Sequence, residues 1–279
     1  MPSRTRAAAL VRAGAVRVDG TVATRPALPV SAAAEVTLDA PDRSYVSRAA
    51  YKLAGALDAL EVGASHGRPA PPVVAGARCL DVGASTGGFT QVLLERGGAG
   101  VIALDVGHGQ LDSTLRGDPR VHVIEGCNAR ELQPEALPYA PTVVVADLSF
   151  ISLRLVLPAL VRAAPGADLL LMVKPQFEVG RERLGRDGVV RTAAAHESAV
   201  LDVVASAVEC GLRLVAVAAS SLPGPSGNRE FFCWFQRSAA RGTASVQEAV
   251  RAAVADAAGR TAYYPADADA HPEAHGGNE

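Results

Sequence analysis

From residue 77 onwards, short apolar runs alternate with segments of helical pattern, and this alternation constrains the fold more than any other feature of the sequence. The apolar runs predict seven strands, at 78–82, 100–106, 121–126, 142–148, 168–174, 213–220 and 230–236. Helical patterns are found near 88–97, 108–116, 152–164 and 193–211. This alternation is typical of an α/β fold with a mostly parallel sheet and helices on both faces. A loop at 222–229 joins the last two strands, so we expect them to pair antiparallel.

The rest of the chain predicts smaller parts on either side of this sheet. Residues 1–42 contain a short helix that closes at Gly14, then two strands around Asp19-Gly20, a dipeptide that favours tight hairpins. Next come a helix over 44–60 and a linker rich in glycine and proline. A last helix at 244–258 precedes a polar tail that we expect to be disordered. The predicted segments are therefore 1–42, 43–76, 77–241 and 242–279.

Charge is distributed unevenly along the chain. The net charge is −2, yet residues 1–54 carry eight Lys/Arg against four Asp/Glu, and residues 242–279 carry two against six. A basic head can bind phosphates even when an acidic tail cancels it in the total. Ordinary solvated surface would explain both ends equally well.

The cysteines and the hydropathy exclude several classes of protein. The four cysteines are far apart, with no CxxC pair and no histidine cluster nearby, at Cys79, Cys127, Cys210 and Cys233. This spacing argues against a disulfide framework or a zinc site. No apolar run approaches the roughly 18 residues that span a bilayer, and the N-terminus lacks the apolar region of a signal peptide. We therefore expect a cytoplasmic protein that uses no metal and no membrane.

A glycine-rich turn, LDVGASTGGFTQVLL (80–94), joins the first strand of the sheet to a helix. Backbone N–H groups at such a helix start favour a negatively charged or polar ligand group. The middle glycine of a dinucleotide fingerprint is replaced by Ser85, which would obstruct a pyrophosphate, and the phosphate-binding Gly-Lys-Ser/Thr pattern is absent. S-adenosyl-L-methionine fits better, because it has no phosphate. Asp105, 22 residues after Gly83, is placed to accept hydrogen bonds from its ribose. A purely structural turn is the alternative.

Lysine is rare in this sequence, which has 25 arginines but only Lys52 and Lys174. Lys174 ends a buried strand, Asp147 ends the strand before it, and Glu230 begins the antiparallel last strand. All three should converge at the edge of the sheet where ligands bind, and Lys52 could join them. A lysine beside an acid suits removal of a proton from a hydroxyl, whereas arginine stays charged. Structural ion pairing is the alternative for either lysine alone.

The segment at the end of the fourth strand limits the kinds of methyl acceptor that the enzyme could use. It is ADLSF, not the Asn/Asp-Pro-Pro-Tyr type of methyltransferases that act on exocyclic amino groups. No cysteine comes directly after the fourth or the fifth strand, so a covalent mechanism at cytosine C5 has no nucleophile there. A hydroxyl acceptor remains.

With these motifs the sequence resembles the TlyA family, S4-domain-containing rRNA 2′-O-methyltransferases with a catalytic domain similar to the FtsJ/RrmJ type. The matching segments run in order from about residue 4 to 237: VRVDG, VSRAAYKL, CLDVGASTGGFT, LDVGHGQL, VVADLSFISL, MVKPQFEVG and LPGPSGNREFF. The resemblance implies a Rossmann-like class I S-adenosylmethionine-dependent methyltransferase fold with a seven-stranded sheet and a small S4-like RNA-binding domain. Family members usually begin with one more helix, so we expect either a shortened S4 module or a start site that was chosen too far downstream.

The resemblance also assigns roles to residues. The family's Lys-Asp-Lys-Glu tetrad corresponds to Lys52, Asp147, Lys174 and Glu230. The implied cofactor contacts are Gly83, Ser85, Thr86, Gly87, Gly88, Phe89, Asp105, Asn128 and Asp147. Within that set, Asp105 would hold the ribose and Asn128 would lie near the adenine. The expected reaction is methylation of ribose 2′-hydroxyls, with cytidines in 16S rRNA, 23S rRNA or both as the implied targets.

The expected partner is ribosomal RNA or a ribosomal subunit, and the protein could be a monomer or a homodimer. Two groups of arginines could grip the RNA backbone: Arg4, Arg6, Arg12 and Arg17 near the N-terminus, and Arg181, Arg183 and Arg186 after the catalytic strand. A solvated loop is the alternative for the second group. Two other functions stay open, a non-catalytic RNA-binding ribosome-assembly factor and a membrane-active hemolysin. No amphipathic stretch with a lysine-rich face supports the hemolysin.

Overall fold

A computed structural model of the chain describes residues 11, 16–23, 25, 27–31, 34–38, 45–66, 69–180, 182, 184–185, 187–237 and 246–259. The chain divides into two compact units between Ser44 and Tyr45, and the larger unit reaches Ala262. Apart from residue 11, the helix predicted to close at Gly14 lies outside the described residues, and so does the tail after 259. The division into four segments stays a prediction.

The small unit contains a three-stranded antiparallel sheet. Its strands are β1 (Val16–Val18), β2 (Thr21–Val22) and β3 (Val36–Leu38), in the order β2-β1-β3. Asp19 and Gly20 form the turn between β1 and β2 with φ angles of 49° and 78°. A two-residue hairpin turn of type I′ needs this left-handed conformation at both positions, because its twist then matches that of the strands. The predicted hairpin is confirmed.

The large unit is built on a seven-stranded sheet. Its strands are β4 (Arg78–Val82), β5 (Gly100–Leu104), β6 (Val121–Ile124), β7 (Val143–Ala146), β8 (Asp168–Val173), β9 (Leu212–Ala219) and β10 (Phe231–Arg237). Their order in the sheet is β6-β5-β4-β7-β8-β10-β9. The first five strands in this order pair parallel, whereas β10 pairs antiparallel with both of its neighbours. The predicted fold class and the antiparallel pairing of the last two strands are confirmed.

The helices of this unit differ from the predictions mainly in their bounds. They are α1 (Arg48–Ala64), α2 (Gly88–Glu95), α3 (Ser113–Arg116), α4 (Leu157–Ala163), α5 (Pro175–Glu178), α6 (Ala193–Glu209) and α7 (Val246–Gly259). The helix predicted over 108–116 is shorter, because Gly109 has a left-handed φ of 68° and Asp112 caps the helix only from there, accepting from the Thr114 N–H. The helix predicted over 152–164 is split, with a 3₁₀ turn at Leu153–Leu155 before α4.

Two apolar clusters cover the two faces of the sheet. Along β8, Leu169 and Leu171 belong to one cluster while Leu170 and Met172 belong to the other, as the period-two alternation of a strand requires. Helices α4, α6 and α7 pack on the first face, and α1 and α2 pack on the second. Because both faces are covered, the strands are near-continuous apolar runs, and the polar residues that follow them stand out at the sheet edge.

Candidate active site

The sheet order brings several strand ends to one place. Strands β4 and β7 are neighbours although β5 and β6 come between them in the chain, so the direction of winding reverses there. In open parallel sheets, ligands bind in the crevice outside the carboxyl ends of the strands at such a reversal. Strand β10 runs the opposite way, with Phe231 paired to Val173, so its first residues lie at the same edge. Asp147, Lys174 and Glu230 therefore arrive there from three neighbouring strands.

The structure brings together all four residues of the predicted tetrad, in two ion pairs. Lys52 Nζ lies 2.7 Å from Glu230 Oε2, and Lys174 Nζ lies 2.6 Å from Asp147 Oδ1. Lys174 Nζ also donates a hydrogen bond to Ser149 Oγ, at 2.8 Å. The two pairs act on each other, since the charges of both Lys174 and Asp147 affect the titration of Glu230. The site is thus a compact group of two ammonium and two carboxyl groups.

Burial sets the electrostatics of this group. The exposed fractions are 6% for Lys52, 9% for Lys174 and 2% for Glu230. Burial raises the pKa of Glu230, whereas Lys52 and, to a smaller extent, Lys174 act to lower it. Removing one partner of such a buried ion pair lowers the stability of the fold far more than removing one partner of an exposed pair, because the remaining charge stays buried and poorly solvated.

Helix α1 is held against the sheet by contacts at both of its sides. The Val46 N–H donates to Gln91 Oε1 of α2 at 2.9 Å. On the other side, Arg48 Nη2 donates to the Pro223 carbonyl at 3.3 Å, and Ser221 Oγ donates to the Tyr51 carbonyl at 3.0 Å. These contacts fix the helix between α2 and the loop before Glu230. The reach of Lys52 to Glu230 follows from that position.

The glycine-rich turn approaches the strand that carries Asp147. Gly83 has a φ of 83°, and a Cβ placed there would lie 2.6 Å from the Asp147 carbonyl oxygen. Gly87, with a φ of 98°, is the N-cap of α2, and its Cβ would meet side chains of Leu111 and Leu115. Ser85 also has a positive φ, 47°, which a non-glycine residue rarely adopts. The backbone shape of this turn therefore depends on its glycines.

Asp105 holds the turn in place through its carboxylate. Its Oδ2 accepts from the Ser85 N–H at 2.8 Å, and its Oδ1 accepts from the Gly107 N–H at 2.7 Å. Each carboxylate oxygen has a second lone pair, so bonds to ribose hydroxyls stay possible. Thr86 accepts from the Asp112 N–H through its carbonyl.

Two other residues predicted to contact the cofactor have local tasks in the fold. Asn128 is exposed and caps a 3₁₀ turn, its Oδ1 accepting from the Arg130 N–H at 3.1 Å. Phe89 is 2% exposed and packs in the core, with its ring centroid 5.9 Å from that of Phe232. The Phe89 side chain is therefore part of the core, and at the start of α2 it is the backbone that can face a ligand. Both cofactor roles stay predictions.

Asp81 is a site residue that sequence reasoning missed. It is fully buried in β4, just before the glycine turn; its Oδ2 accepts from Thr90 Oγ1 at 2.7 Å, and its Oδ1 has no hydrogen-bond partner. Burial raises the pKa of this carboxyl to about 7, against the effect of the Thr90 bond, and the Asp147 charge raises it further. One sequence feature could have indicated Asp81: it is an acid inside the otherwise apolar run CLDV. A carboxyl group buried in a strand is costly unless it has a partner or a ligand.

Phe150 is the second residue that the sequence did not single out. Its side chain is 93% exposed beside the tetrad, and its φ is 65°. The Phe177 ring lies 5.5 Å away, centroid to centroid. Strained backbone conformations cluster at active sites and ligand-binding segments, which makes this exposed ring a candidate ligand contact.

Most of the arginines predicted to contact RNA lie outside the described residues: Arg4, Arg6, Arg12, Arg181, Arg183 and Arg186. Arg17 is described, and its Nη1 donates to the Gly20 carbonyl at 3.1 Å in the hairpin of the small unit. Arg191, just after the second group, is paired with Asp187. The RNA contacts of these side chains stay predictions.

The residues at the sheet edge fit S-adenosyl-L-methionine. The start of α2 offers backbone donors to a carboxylate, Asp147 and the unpaired oxygen of Asp81 offer acceptors to an amine, and Asp105 offers acceptors to a ribose. Among the described residues, no group of three or more His, Cys, Asp or Glu side chains could hold a metal ion. Nor does the described part of the chain include a helix that is long and apolar enough to cross a membrane.

The strand order, the glycine turn and the tetrad define a Rossmann-like methyltransferase, and comparison with known families agrees. A family model described as FtsJ-like methyltransferase matches residues 45–237, and the S4 domain model matches residues 2–36. The chain belongs to the TlyA family of FtsJ-like methyltransferases. This membership confirms the predicted family, the methyltransferase class of the enzyme and the cofactor S-adenosyl-L-methionine.

Several bacterial relatives match most of the chain. The 16S/23S rRNA (cytidine-2′-O)-methyltransferase TlyA of Mycobacterium tuberculosis is 49% identical over 91% of this chain and 92% of its own length. Hemolysin A of Brachyspira hyodysenteriae is 35% identical over 84% of this chain and 93% of its own. The solved structure of a putative hemolysin from Streptococcus thermophilus is 35% identical, with a TM-score of 0.70 over 92% of this chain and 91% of that one.

Proposed function

We propose that this protein transfers a methyl group from S-adenosyl-L-methionine to ribose 2′-hydroxyls of ribosomal RNA, at cytidines in 16S or 23S rRNA. The observation that carries the proposal is the convergence of Lys52, Asp147, Lys174 and Glu230 into two buried ion pairs at the edge of the sheet. The names of the relatives, above all the 16S/23S rRNA (cytidine-2′-O)-methyltransferase that is 49% identical, support the choice of rRNA and of cytidine.

The side chains divide the chemical work. S-adenosyl-L-methionine, when bound, supplies a methyl group that is electrophilic because it is attached to a sulfonium. Lys174 faces the 2′-hydroxyl, and Asp147, 2.6 Å away, holds the lysine in position. As an ammonium, Lys174 polarises the hydroxyl; to act as the base it first releases a proton to Asp147 or to solvent, and its neutral amine then takes the hydroxyl proton as the methyl group is transferred. Glu230 and Lys52 orient the ribose from the other side. Holding the reactants in line contributes much of the rate of such a displacement.

The RNA is held by surfaces outside this group. The S4 model covers residues 2–36, which include Arg4, Arg6, Arg12 and Arg17, and these are suited to phosphate contacts. Arg181, Arg183 and Arg186 follow the catalytic strand and would grip the backbone near the target. Phe150 offers a ring on which a base can stack. The protein would meet its substrate in the cytoplasm, and no metal is required.

The test uses the purified protein, labelled S-adenosyl-L-methionine and ribosomal subunits from cells that lack the modification. Ribose methylation is located by the resistance of the neighbouring phosphodiester bond to alkali. We expect label on a cytidine ribose with the wild type and none with Lys174→Ala. Equal labelling by both proteins would remove Lys174 from the reaction. Cofactor binding without transfer to either subunit would favour a non-catalytic RNA-binding role.

A further inference from the structure

Glu178 is a buried acid close to the tetrad that the reaction described above does not use. It ends α5, the short helix that begins directly after Lys174, and its exposed fraction is 3%. Burial raises the pKa of its carboxyl, and hydrogen bonds from the Ser152 hydroxyl and the Leu153 N–H act against that rise. A residue that only filled space here would be apolar, since burying a carboxylate is costly.

The carboxylate of Glu178 reaches the segment that follows Asp147. Its Oε1 accepts from the Leu153 N–H at 2.8 Å, and its Oε2 accepts from Ser152 Oγ. Arg154 adds a third contact, with its Nε 3.4 Å from Oε2 and its Nη2 donating to the Glu178 carbonyl at 3.2 Å. Both carboxylate oxygens thus bind the same short segment, Oε1 through a backbone N–H and Oε2 through side chains.

The segment from Asp147 to Leu153 is attached to the Lys174 side of the site at two points. At its start, Lys174 pairs with Asp147 and donates to Ser149 Oγ. At its end, Glu178 holds Ser152 and Leu153, as described above. Between these points the chain passes through the left-handed conformation of Phe150, which costs on the order of 1–2 kcal/mol and persists only where the surroundings impose it.

We propose that Glu178 is a positioning residue for methyl transfer, acting through the Asp147–Ser152 segment to fix Asp147 and Ser149 against Lys174. The inference rests on the proposed function. A simpler role for Glu178 would be to cap the 3₁₀ turn at Leu153–Leu155. The Leu153 N–H is at the start of this turn, where backbone N–H groups have no partner within the turn itself. The two roles differ in what they predict for catalysis, since a cap affects only folding.

The experiment compares Glu178→Ala, Glu178→Gln and the wild type, by kcat and KM for ribosomal subunits and by the dissociation constant of S-adenosyl-L-methionine. For Glu178→Ala we expect kcat to fall about 10- to 100-fold, because small misplacements of reacting groups are that costly. Cofactor affinity should not change. Glu178→Gln should recover part of kcat, since its amide oxygen can still accept from the Leu153 N–H, whereas Ser152 Oγ already accepts from Arg154.

Val254→Ala serves as the control for lost stability. Val254 is 2% exposed in α7, which packs on α6 and β9 and not on the tetrad. The Val254→Ala substitution should lower the melting temperature and leave kcat unchanged. Ser152→Ala, a milder change, should lower kcat less than Glu178→Ala, and adding it to Glu178→Ala should cost little more.

The possible outcomes separate the hypotheses. If the Glu178→Ala variant has a lower melting temperature but keeps the wild-type kcat, then Glu178 acts only as a cap, and the inference fails. A parallel loss of cofactor affinity would show general damage to the site and would also overturn it. If the wild type itself methylates no ribose, the proposed function fails first.

Discussion

Lys52 Nζ lies 2.7 Å from Glu230 Oε2, although the two residues are 178 positions apart in the chain. One comes from the helix before the sheet and the other from the start of its last strand, and both side chains are almost fully buried. The pair joins the two ends of the catalytic unit across the site. Its removal should therefore affect folding and chemistry together.

Lys52→Ala should destabilise the protein by about 3–5 kcal/mol near neutral pH, because it leaves the Glu230 carboxylate buried without its main counter-charge. The folded-state pKa of Glu230 is already raised by burial, and losing Lys52 raises it further. Stability from such a carboxyl is complete below its unfolded pKa and is lost as pH rises through the folded pKa. The variant should thus lose more stability than the wild type as the pH rises from about 5 to neutrality.

Thermal unfolding at both ends of that pH range measures this effect. The double variant Lys52→Ala/Glu230→Gln is the matched control, since it removes the carboxyl that titrates. Its melting temperature should show no additional pH dependence. If the single and double variants respond alike to pH, Glu230 does not titrate as its surroundings suggest.

Lys174→Arg tests whether the site needs a lysine or only a positive charge. Arginine can keep the pairing with Asp147 but cannot act as a base, so we expect kcat to fall about 10²- to 10⁴-fold. Cofactor affinity should stay near that of the wild type. Measured kcat close to wild type would mean that polarisation by charge is sufficient.

Gly83→Ala should abolish cofactor binding, whereas Gly211→Ala should not. The φ angles are nearly equal, 83° and 80°, so the backbone cost of alanine is similar. Only at Gly83 does the new Cβ meet another atom, the Asp147 carbonyl oxygen at 2.6 Å; at Gly211 nothing lies within 4 Å. Calorimetric titration with S-adenosyl-L-methionine distinguishes the two. Equal losses would attribute the effect to backbone strain alone.

Asp81→Asn should change how stability depends on pH. Because burial raises the pKa of Asp81 to about 7, this carboxyl contributes stability that is lost as pH rises through that value. The variant has no such loss, so its melting temperature should rise relative to that of the wild type between about pH 5 and pH 7, and the difference should stay constant above that range. Asp112→Asn is the control, since hydrogen bonds from Thr114 lower the pKa of Asp112 and it stays ionised throughout that range. A constant difference between Asp81→Asn and wild type within that range would contradict the assignment.

Phe150→Gly and Phe150→Ala should separate backbone strain from the function of the ring. Glycine adopts the φ of 65° without strain, so the glycine variant should melt higher than the alanine variant, the reverse of the usual order. Both should raise KM for RNA about 10-fold, because base stacking on an aromatic ring is lost. Leu155→Ala, which removes another exposed apolar side chain, should leave KM unchanged. An unaltered KM in both Phe150 variants would remove the ring from RNA binding.

The sequence predicted the sheet well because its strands are buried on both faces and have near-continuous apolar runs. It also marked Lys52 and Lys174, because lysine is otherwise absent from the chain. Pairing was harder to foresee. Strand-end geometry suggested that Asp147, Lys174 and Glu230 would meet, but only the packing of α1 against α2 shows that Lys52 reaches Glu230.

Three residues near the site were missed for different physical reasons. Asp81 belongs to an apolar strand pattern, and its lack of a second partner is a property of the packed interior. Phe150 resembles a core residue by type, and only its backbone conformation turns it outwards. Glu178 sits in a helix of four residues, too short to produce a periodic pattern, and its partners lie 25 and 26 positions away.

Strand β10 enters the sheet between β8 and β9, and of the seven strands of this sheet it is the last to be synthesised. A nascent chain that has not yet produced this strand contains both lysines and Asp147 but lacks Glu230, so Lys52 has no counter-ion. Pairing across 178 positions is also a slow step in folding, because distant contacts form late. The protein is made by a ribosome, the kind of particle on which we propose it acts, and it can complete its site only after β10 has been translated.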